Sequence, residues 1–403
     1  MSTLNERHTL AEQVAQAMGK SVYNNVEAHK DITPRLELQQ KSPKLMTLEE
    51  AIRHSGLKDG MTISFHHHFR GGDKVVNMVV AKLAEMGFKG LHLAASSLQD
   101  VHEPLIEHIR NGVITEISTS GLRGELAKEI SHGLMEKPVV FRSHGGRGEA
   151  IASGELHIDV AFLGASSSDP LGNACGYSRS ENAKSICGSL GYALPDAHYA
   201  DKVVILTDDL VPYPNTPNSI SEHDVDYVVE VESVGDSSKI ASGAIRDTKN
   251  PRDILLAQQA AKVIVNSGYF KNGFSIQTGS GGASLAAVKY IRQSMIDQGI
   301  KASFALGGIT AHMVKMHEEG LIERLIDVQS FDKVAAESLK NDPKHKEVSA
   351  CEYASMHEQG AATHYLDIVI LSALEVDVNF NVNVLVGSDG IIRGAIGGHP
   401  DTA

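Results

Sequence analysis

The stretch "FHHHFRGGD", Phe65 to Asp73, sets three histidines and an arginine beside two glycines. Successive side chains on a strand alternate in direction, so His66 and His68 are expected on one face and His67 on the other. A metal centre would need further ligands at workable positions. None is evident nearby, and no metal is expected. Arg70, in a glycine loop ahead of a helix, suits recognition of a carboxylate or phosphate, because its planar fork of donors matches two oxygens at once. A solvated or core-edge histidine run is the plainer alternative. "SHGGRGE", Ser143 to Glu149, offers Arg147 in a second glycine-rich loop. "TGSGG", Thr278 to Gly282, offers Thr278, Gly279, Gly281 and Gly282 at the start of a helix. There backbone N–H groups and the positive end of the helix dipole favour an anion. A tight structural turn is equally compatible with that loop. It lacks the Lys-Ser/Thr ending of a P-loop and the GxGxxG spacing of a dinucleotide site. "GGIT" from Gly307, "SALEVD" with Glu375 and Asp377, and "GAIGGHPD" with Gly397 and Gly398 each follow an apolar run. The plain reading of Glu375 and Asp377 is that of strand-end carboxylates accepting backbone N–H groups. No GxSxG nucleophile elbow is present, so serine-hydrolase chemistry of that kind has no support.

These loops need strands and helices to aim them. Met61–Phe65, Leu91–Ala95, Val139–Arg142, Val160–Leu163, Val203–Leu206 and Phe274–Gln277 are apolar runs of buried-strand length. Helical periodicity covers Val75–Met86 and Ala283–Ser294. Strands alternating with helices predict an α/β fold with mainly parallel sheets. In such sheets ligands bind beyond the carboxyl ends of the strands, which is the edge where the loops above fall.

The order of elements repeats. "NGVITEI" with Gly112 parallels "EGLIERL" with Gly320, and "HIDVAFLGASSSDPLGN" parallels "YLDIVILSALEVDVNFN". Asp159, Asp169 and Asn173 match Asp367, Asp377 and Asn381 at one offset of 208, which points to an internal duplication. The expected organisation is an N-terminal arm over residues 1–44, a first α/β domain over 45–240 and a second over 241–403. The arm begins with a short amphipathic helix, Thr9 to Met18. The second domain ends before any counterpart of roughly the last forty residues of the first, and so reads as truncated.

Composition bounds the partners. The 403 residues are 42% apolar and 22% charged, as in globular proteins, and carry a formal charge of −13 from 37 basic and 50 acidic residues. That balance argues against nucleic acid or a bilayer as a general partner. Cys175, Cys187 and Cys351 form no metal pair or disulfide framework, which fits a reducing cytoplasm. No secretory leader is expected over residues 1–20, and no run approaches the roughly 18 apolar residues of a membrane span.

Taken together, these motifs resemble the CoA-transferase superfamily. "IQTGSGGASLAAV" is similar to its glycine-rich CoA-domain loop, and "SALEVDVNFNVNV" with "GAIGGHPD" to its closing motif. "FHHHFRGGD", "GASSSDPLGNACGYS" and "DVDYVVEVESVGDSSKIASG" narrow the resemblance to the citrate lyase α-subunit family, from about Lys44 to Ala403. The resemblance implies two CoA-transferase-like domains with an active site between them. It implies exchange of acetate for citrate on a thioester, in an oligomeric complex with a β (lyase) subunit and a γ subunit, the acyl carrier protein. No cofactor would be held permanently. The acyl group would ride on the carrier's phosphoribosyl-dephospho-CoA arm, with acetyl-CoA as a candidate surrogate.

In this reading Arg70, His66, His68 and Arg147 would bind citrate. Thr278, Gly279, Gly281, Gly282, Gly397 and Gly398 would take the CoA-like arm. Many relatives of the superfamily carry a nucleophilic glutamate shortly after the strand that follows the glycine loop. Here "SFALGGITAHM" places Gly307 and Gly308 in that neighbourhood, and the first glutamate beyond is Glu318. The resemblance therefore implies direct attack of a citrate carboxylate on the acetyl thioester. Two alternatives remain open. One is a transferase or hydrolase that uses free CoA and a glutamyl thioester, with Glu375 as nucleophile. The other is a non-catalytic metabolite sensor on the same fold.

Overall fold

The structure, a computed structural model, describes Gln13 and residues 43–241, 248–279 and 281–402. Apart from Gln13, Pro43 and Lys44, the arm lies outside the described residues, as does its expected helix apart from Gln13.

The first sheet is built from β1 (Thr62–Phe65), β2 (Leu91–Ala95), β3 (Ile114–Thr119), β4 (Val140–Phe141) and β5 (Val160–Ala165). A small antiparallel hairpin follows, β6 (Ser167–Ser168) with β7 (Ala174–Cys175). The sheet is completed by β8 (Lys202–Thr207) and β9 (Tyr227–Glu230). Its order is β4-β3-β2-β1-β5-β8-β9, parallel throughout. The second sheet comprises β10 (Phe274–Thr278), β11 (Ala302–Ile309), β12 (Ile322–Ser330), β13 (His345–Glu347) and β14 (Ile368–Ile370), in the order β13-β12-β11-β10-β14. It too is parallel, and a second hairpin follows it, β15 (Glu375–Val376) with β16 (Val382–Asn383).

Parallel strands need crossovers, and helices supply them. The helix Val75–Glu85 buries Val76, Val79, Val80 and Leu83, an i, i+3, i+4, i+7 stripe, in the core that also holds the stacked pair Phe65 and Phe162. Each such side chain contributes about 1.5–3 kcal/mol on burial. In the second half, Gly282–Gln298 buries Val288, Ile291 and Met295 against Phe274 and Ile276.

The duplication is visible bond by bond. Asp159 Oδ2 accepts the Thr62 N–H at 2.8 Å, fastening β1 to the start of β5; Asp367 Oδ2 accepts the Ser275 N–H at 2.9 Å, fastening β10 to β14. Asp169 Oδ1 accepts the N–H of Leu171 and Asn173, while Oδ2 takes the Asn173 amide at 2.8 Å. Asp377 does the same with Asn379 and Asn381. The two hairpins also pair at the 208 offset, Ser167 with Cys175 and Glu375 with Asn383. These aspartates and asparagines set turns, as short polar side chains do when they bond their own backbone. The copies differ in cover. The first hairpin is buried and bridged to Leu210 and Ile220, whereas in the second Val378 is 94% and Phe380 86% exposed.

Candidate active site between the two sheets

Each sheet changes direction once. β1 lies between β2 and β5, and β10 lies between β11 and β14. Loops at the carboxyl ends of strands beside such a switch are where open α/β sheets bind ligands. His66–Arg70 follows β1, and the glycine loop that begins at the last residue of β10, Thr278, leads to Gly282.

β1 ends at Phe65, so the three histidines belong to the loop beyond the strand and do not alternate as strand residues. All three are buried. The His66 and His68 rings lie 4.3 Å apart, which keeps them together as expected. The His67 ring is not turned to an opposite face: it lies 6.4 Å from the His68 ring and nearly parallel to it, both pack on Tyr192, and its Nδ1 is 2.6 Å from Ser96 Oγ. His144, at the start of the helix His144–Ala152, brings its ring 5.8 Å from His67, and Tyr192 packs against both, 4.4 Å from His144 and 5.1 Å from His67. Burial holds all four histidines neutral at ordinary pH: His66 is pushed down to about 4, His144 to about 3, and His67 and His68 well below 6.5. Arg70 closes the loop with φ 49°, a left-handed conformation that costs a non-glycine residue roughly 1–2 kcal/mol. Burial lowers its pKa to about 10, which leaves it cationic at neutral pH.

The second sheet meets this cluster with the carboxyl ends of β11 and β12. Gln329 donates to the His67 carbonyl at 2.9 Å. The Arg70 guanidinium stands 4.6 Å over the ring of Phe331. A Cβ on Gly308 would fall inside that ring, and one on Gly307, where φ is 92°, would meet Gln277 at 2.9 Å. The two glycines thus make room for Phe331 and Gln277. Gln277 Nε2 donates to the Tyr353 hydroxyl at 2.7 Å, and Gly398 passes that hydroxyl so closely that a Cβ would sit 2.7 Å from it. Gly397 lies against His144, whose N–H donates to the Gly397 carbonyl at 3.0 Å.

Around this junction many buried polar atoms lack a hydrogen-bond partner among the described residues. They are both ring nitrogens of His66 and of His68, His144 Nδ1, Gln277 Oε1, Thr278 Oγ1 and Thr310 Oγ1. Leaving a buried polar atom unpaired costs about 1–3 kcal/mol, so such a concentration calls for an explanation. A ligand rich in oxygen atoms is the chemical match. Two donors aimed at one carbonyl oxygen would also stabilise a developing oxyanion.

The structure separates the sequence-derived site residues. Arg70, His66 and His68 lie in the cluster, with Gly307, Gly308, Gly397 and Gly398 at its rim. Thr278 adjoins Gln277, and Gly279 donates its N–H to the Ile370 carbonyl at 2.7 Å. Gly281 caps Gly282–Gln298 with an ordinary extended φ of −71°, so it is not there for a strained backbone; a Cβ would meet Ser372 Oγ at 2.6 Å. Arg147 is buried but already engaged. It holds Asp196 through two bonds of 2.8 Å and the Ala94 carbonyl at 3.1 Å, and Asp196 also accepts the Ser64 hydroxyl. Glu375 is exposed on the second hairpin, where it accepts from Asn383 at 2.9 Å, and no hydrogen bond among the described residues joins it to the histidine cluster. Gln277, Tyr192, Tyr353, Gln329 and Phe331 were not legible as site residues. Only His144 had a signal, as the histidine opening a glycine-rich loop.

The family model "Citrate lyase, alpha subunit" matches residues 42–403. The chain is 60% identical over 385 residues to a citrate lyase α chain of Haemophilus influenzae, covering 95% of this chain and 75% of the relative. It is 61% identical over 356 residues to that of Escherichia coli, covering 88% and 69%. A Streptococcus mutans protein crystallised with citrate, and described as an α subunit of citrate lyase, superposes with a TM-score of 0.86 at 58% identity, over 90% of this chain and 71% of that one. A malonate decarboxylase α subunit of Acinetobacter baumannii shares the fold at 17% identity, with a TM-score of 0.66 over 91% of this chain and 67% of its own. By family match and by identity the chain belongs to the citrate lyase α-subunit family, the citrate CoA-transferase component of that enzyme.

Proposed function

We propose that the histidine–arginine cluster between the two sheets binds citrate and exchanges it for acetate on the thioester of an acyl carrier protein. The observation that supports this most is the concentration of unpaired buried polar atoms around Arg70. Neutral imidazoles can each donate one N–H, and Arg70 supplies fixed positive charge, so a polycarboxylate would satisfy several groups at once. A citrate carboxylate attacks the acetyl thioester carbonyl. The C–S bond breaks, and a citryl-acetyl anhydride and the carrier thiolate result. The thiolate then attacks the citryl carbonyl, and acetate leaves. Net charge is conserved and no external acid or base is consumed. The chain holds the two reactants in register and stabilises two successive oxyanions. Gln277 Nε2, the Tyr353 hydroxyl and the backbone at Gly397–Gly398 would serve the second task. Arg147, whose two terminal nitrogens are held by Asp196 and the Ala94 carbonyl, is assigned to holding β1, β2 and the helix Leu194–Tyr199 in place rather than to citrate.

The partners in this reading are the β (lyase) subunit, which would cleave the citryl thioester, and the γ carrier, whose phosphoribosyl-dephospho-CoA arm would reach the Thr278–Gly282 loop. Acetyl-CoA is the surrogate donor. No described helix is long and apolar enough to cross a membrane, and a cytoplasmic location accords with the buried free thiols Cys175 and Cys187.

The test is acyl exchange followed by mass spectrometry of the carrier. Acetyl-carrier with citrate should gain the difference in mass between a citryl and an acetyl group, and initial-rate plots against the two substrates should intersect, because both are bound at once. A carrier mass unchanged by citrate would end the proposal. So would parallel lines with a borohydride-trapped adduct at Glu375, the signature of a glutamyl enzyme.

A further inference from the structure

The glycine segment that completes the site has almost no side chains to hold it. Residues 394–398 read Gly-Ala-Ile-Gly-Gly, and such a backbone loses much conformational entropy on ordering. It nevertheless runs as a short antiparallel stretch along the loop beyond β3. Leu122 N–H donates to the Gly394 carbonyl at 3.1 Å, Ile396 N–H to Ser120 at 2.9 Å, and Ala395 bridges to Gly121. Three residues past Gly398, the Asp401 carboxylate turns back to the amino end of His144–Ala152. Its Oδ2 accepts the Gly145 N–H at 3.0 Å, and the Ser143 hydroxyl and the N–H groups of His144 and Gly146 also face it. That helix has nine residues, and its first one is the cluster histidine packed against Tyr192. The carboxylate is thus bonded to the Gly145 N–H at the positive end of a helix, with further donors facing it, an arrangement that favours an anion. In between, the His144 N–H bonds the Gly397 carbonyl, and Thr402 Oγ1 bonds the Gly398 carbonyl at 2.9 Å.

We infer that Asp401 is a positioning residue: its carboxylate clasps the helix His144–Ala152 and thereby fixes Gly397 and Gly398 of the second half against His144 and Tyr353. This rests on the reading of the cluster as the exchange site. Among the described residues no hydrogen bond joins Asp401 to a cluster ring, and it acts through the backbone it anchors. Loss of the clasp should therefore slow the chemical step, where Gly397–Gly398 must be in place, while leaving citrate recognition at Arg70 and the His66–His68 pair largely intact.

The whole chain carrying Asp401→Ala is compared with the parent by hydrogen exchange and by acyl exchange from acetyl-CoA or acetyl-carrier. Amides of residues 144–146 and 394–398 should exchange roughly tenfold faster or more. kcat should fall by roughly tenfold with the citrate KM within about threefold, since only a transition-state contact is lost. Asp401→Asn, which keeps one acceptor oxygen, should fall between. Ser143→Ala, which removes one donor and spares Asp401, should show the same split more weakly and serves if Asp401→Ala does not fold. Parent-like amide protection in Asp401→Ala overturns the clasp. A lower melting temperature with unchanged kcat overturns the positioning role. A parent chain that exchanges no citrate removes the reading of the site, and the amide protection still decides the clasp.

Discussion

Two arginines in glycine-rich loops looked alike in the sequence, and their surroundings set them apart. Arg70 lies among histidines whose ring nitrogens lack partners, whereas Arg147 is locked by two short bonds to a fully buried carboxylate. Removing one member of a buried pair leaves the other uncompensated, which costs roughly 3–5 kcal/mol. Arg147→Ala should therefore lower the urea midpoint by that order, and the protein that remains folded should keep its citrate KM. Arg70→Ala should do the reverse, raising the citrate KM about tenfold or more with a smaller stability loss, since one charge-assisted contact contributes roughly 1.5–3 kcal/mol. An Arg147→Ala chain as stable as the parent but weak for citrate would restore Arg147 as a ligand. The sequence could not make this distinction. Asp196 is 49 residues from Arg147, and nothing in "ALPDAHY" marks one aspartate as its partner. Glu375 shows the same limit. Its type suited a nucleophile, but exposure and its bond to Asn383 depend on how the hairpin folds.

At the scale of elements, much was legible, because spacing alone encodes it. Apolar runs of strand length gave β1, β2, β5, β8 and β10, and the 208 offset carried over to matching hairpins and matching aspartate turns. What spacing does not encode is which strand ends face each other across two sheets. In the sequence Gly307 and Gly308 stand where a glutamate is missing, yet their structural use is to admit Gln277 and Phe331. Gly308→Ala should force the Phe331 ring aside, at an overpacking cost of about 1–3 kcal/mol. It should also disturb the seat of Arg70 over that ring, a contact of roughly 0.5–2 kcal/mol. The expected result is a citrate KM raised severalfold or more in a chain that still unfolds cooperatively. Gly281→Ala is the contrast. Its φ is ordinary and its nearest obstacle is a rotatable hydroxyl, so activity should stay within a few-fold of the parent. Parent-like citrate kinetics in Gly308→Ala would show that Phe331 does not set the position of Arg70.

At the scale of the whole molecule, the contact between the halves is built on neutral histidines, and that choice sets the response to acid. An unfolded histidine titrates near 6.5, whereas His66 in the fold titrates at about 4, because burial outweighs the nearby Asp73 and Asp196 carboxylates, and Arg147 opposes protonation further. Below pH 6.5 the unfolded chain binds the proton that the folded chain refuses, so stability falls as pH falls and levels off only below about 4. The full effect at His66 alone is about 3 kcal/mol. His67, His68 and His144 act in the same direction. Asp401, Glu347 and Asp208 act oppositely, since burial raises their folded pKa and makes the fold take up protons earlier than the unfolded chain. A variant difference removes these shared contributions. His66→Gln cannot titrate, so its stability relative to the parent should improve steadily from pH 7 to about 4, by up to about 3 kcal/mol, in urea unfolding at each pH. Citrate should reverse part of the parent's loss, because an anion beside the imidazoles favours their charged form and makes binding take up protons. Calorimetry of citrate binding near pH 6 in buffers of different ionisation enthalpy should register that uptake. A variant difference that does not change with pH would show that His66 is not held neutral in the fold, and proton-neutral citrate binding would place the anion away from these rings.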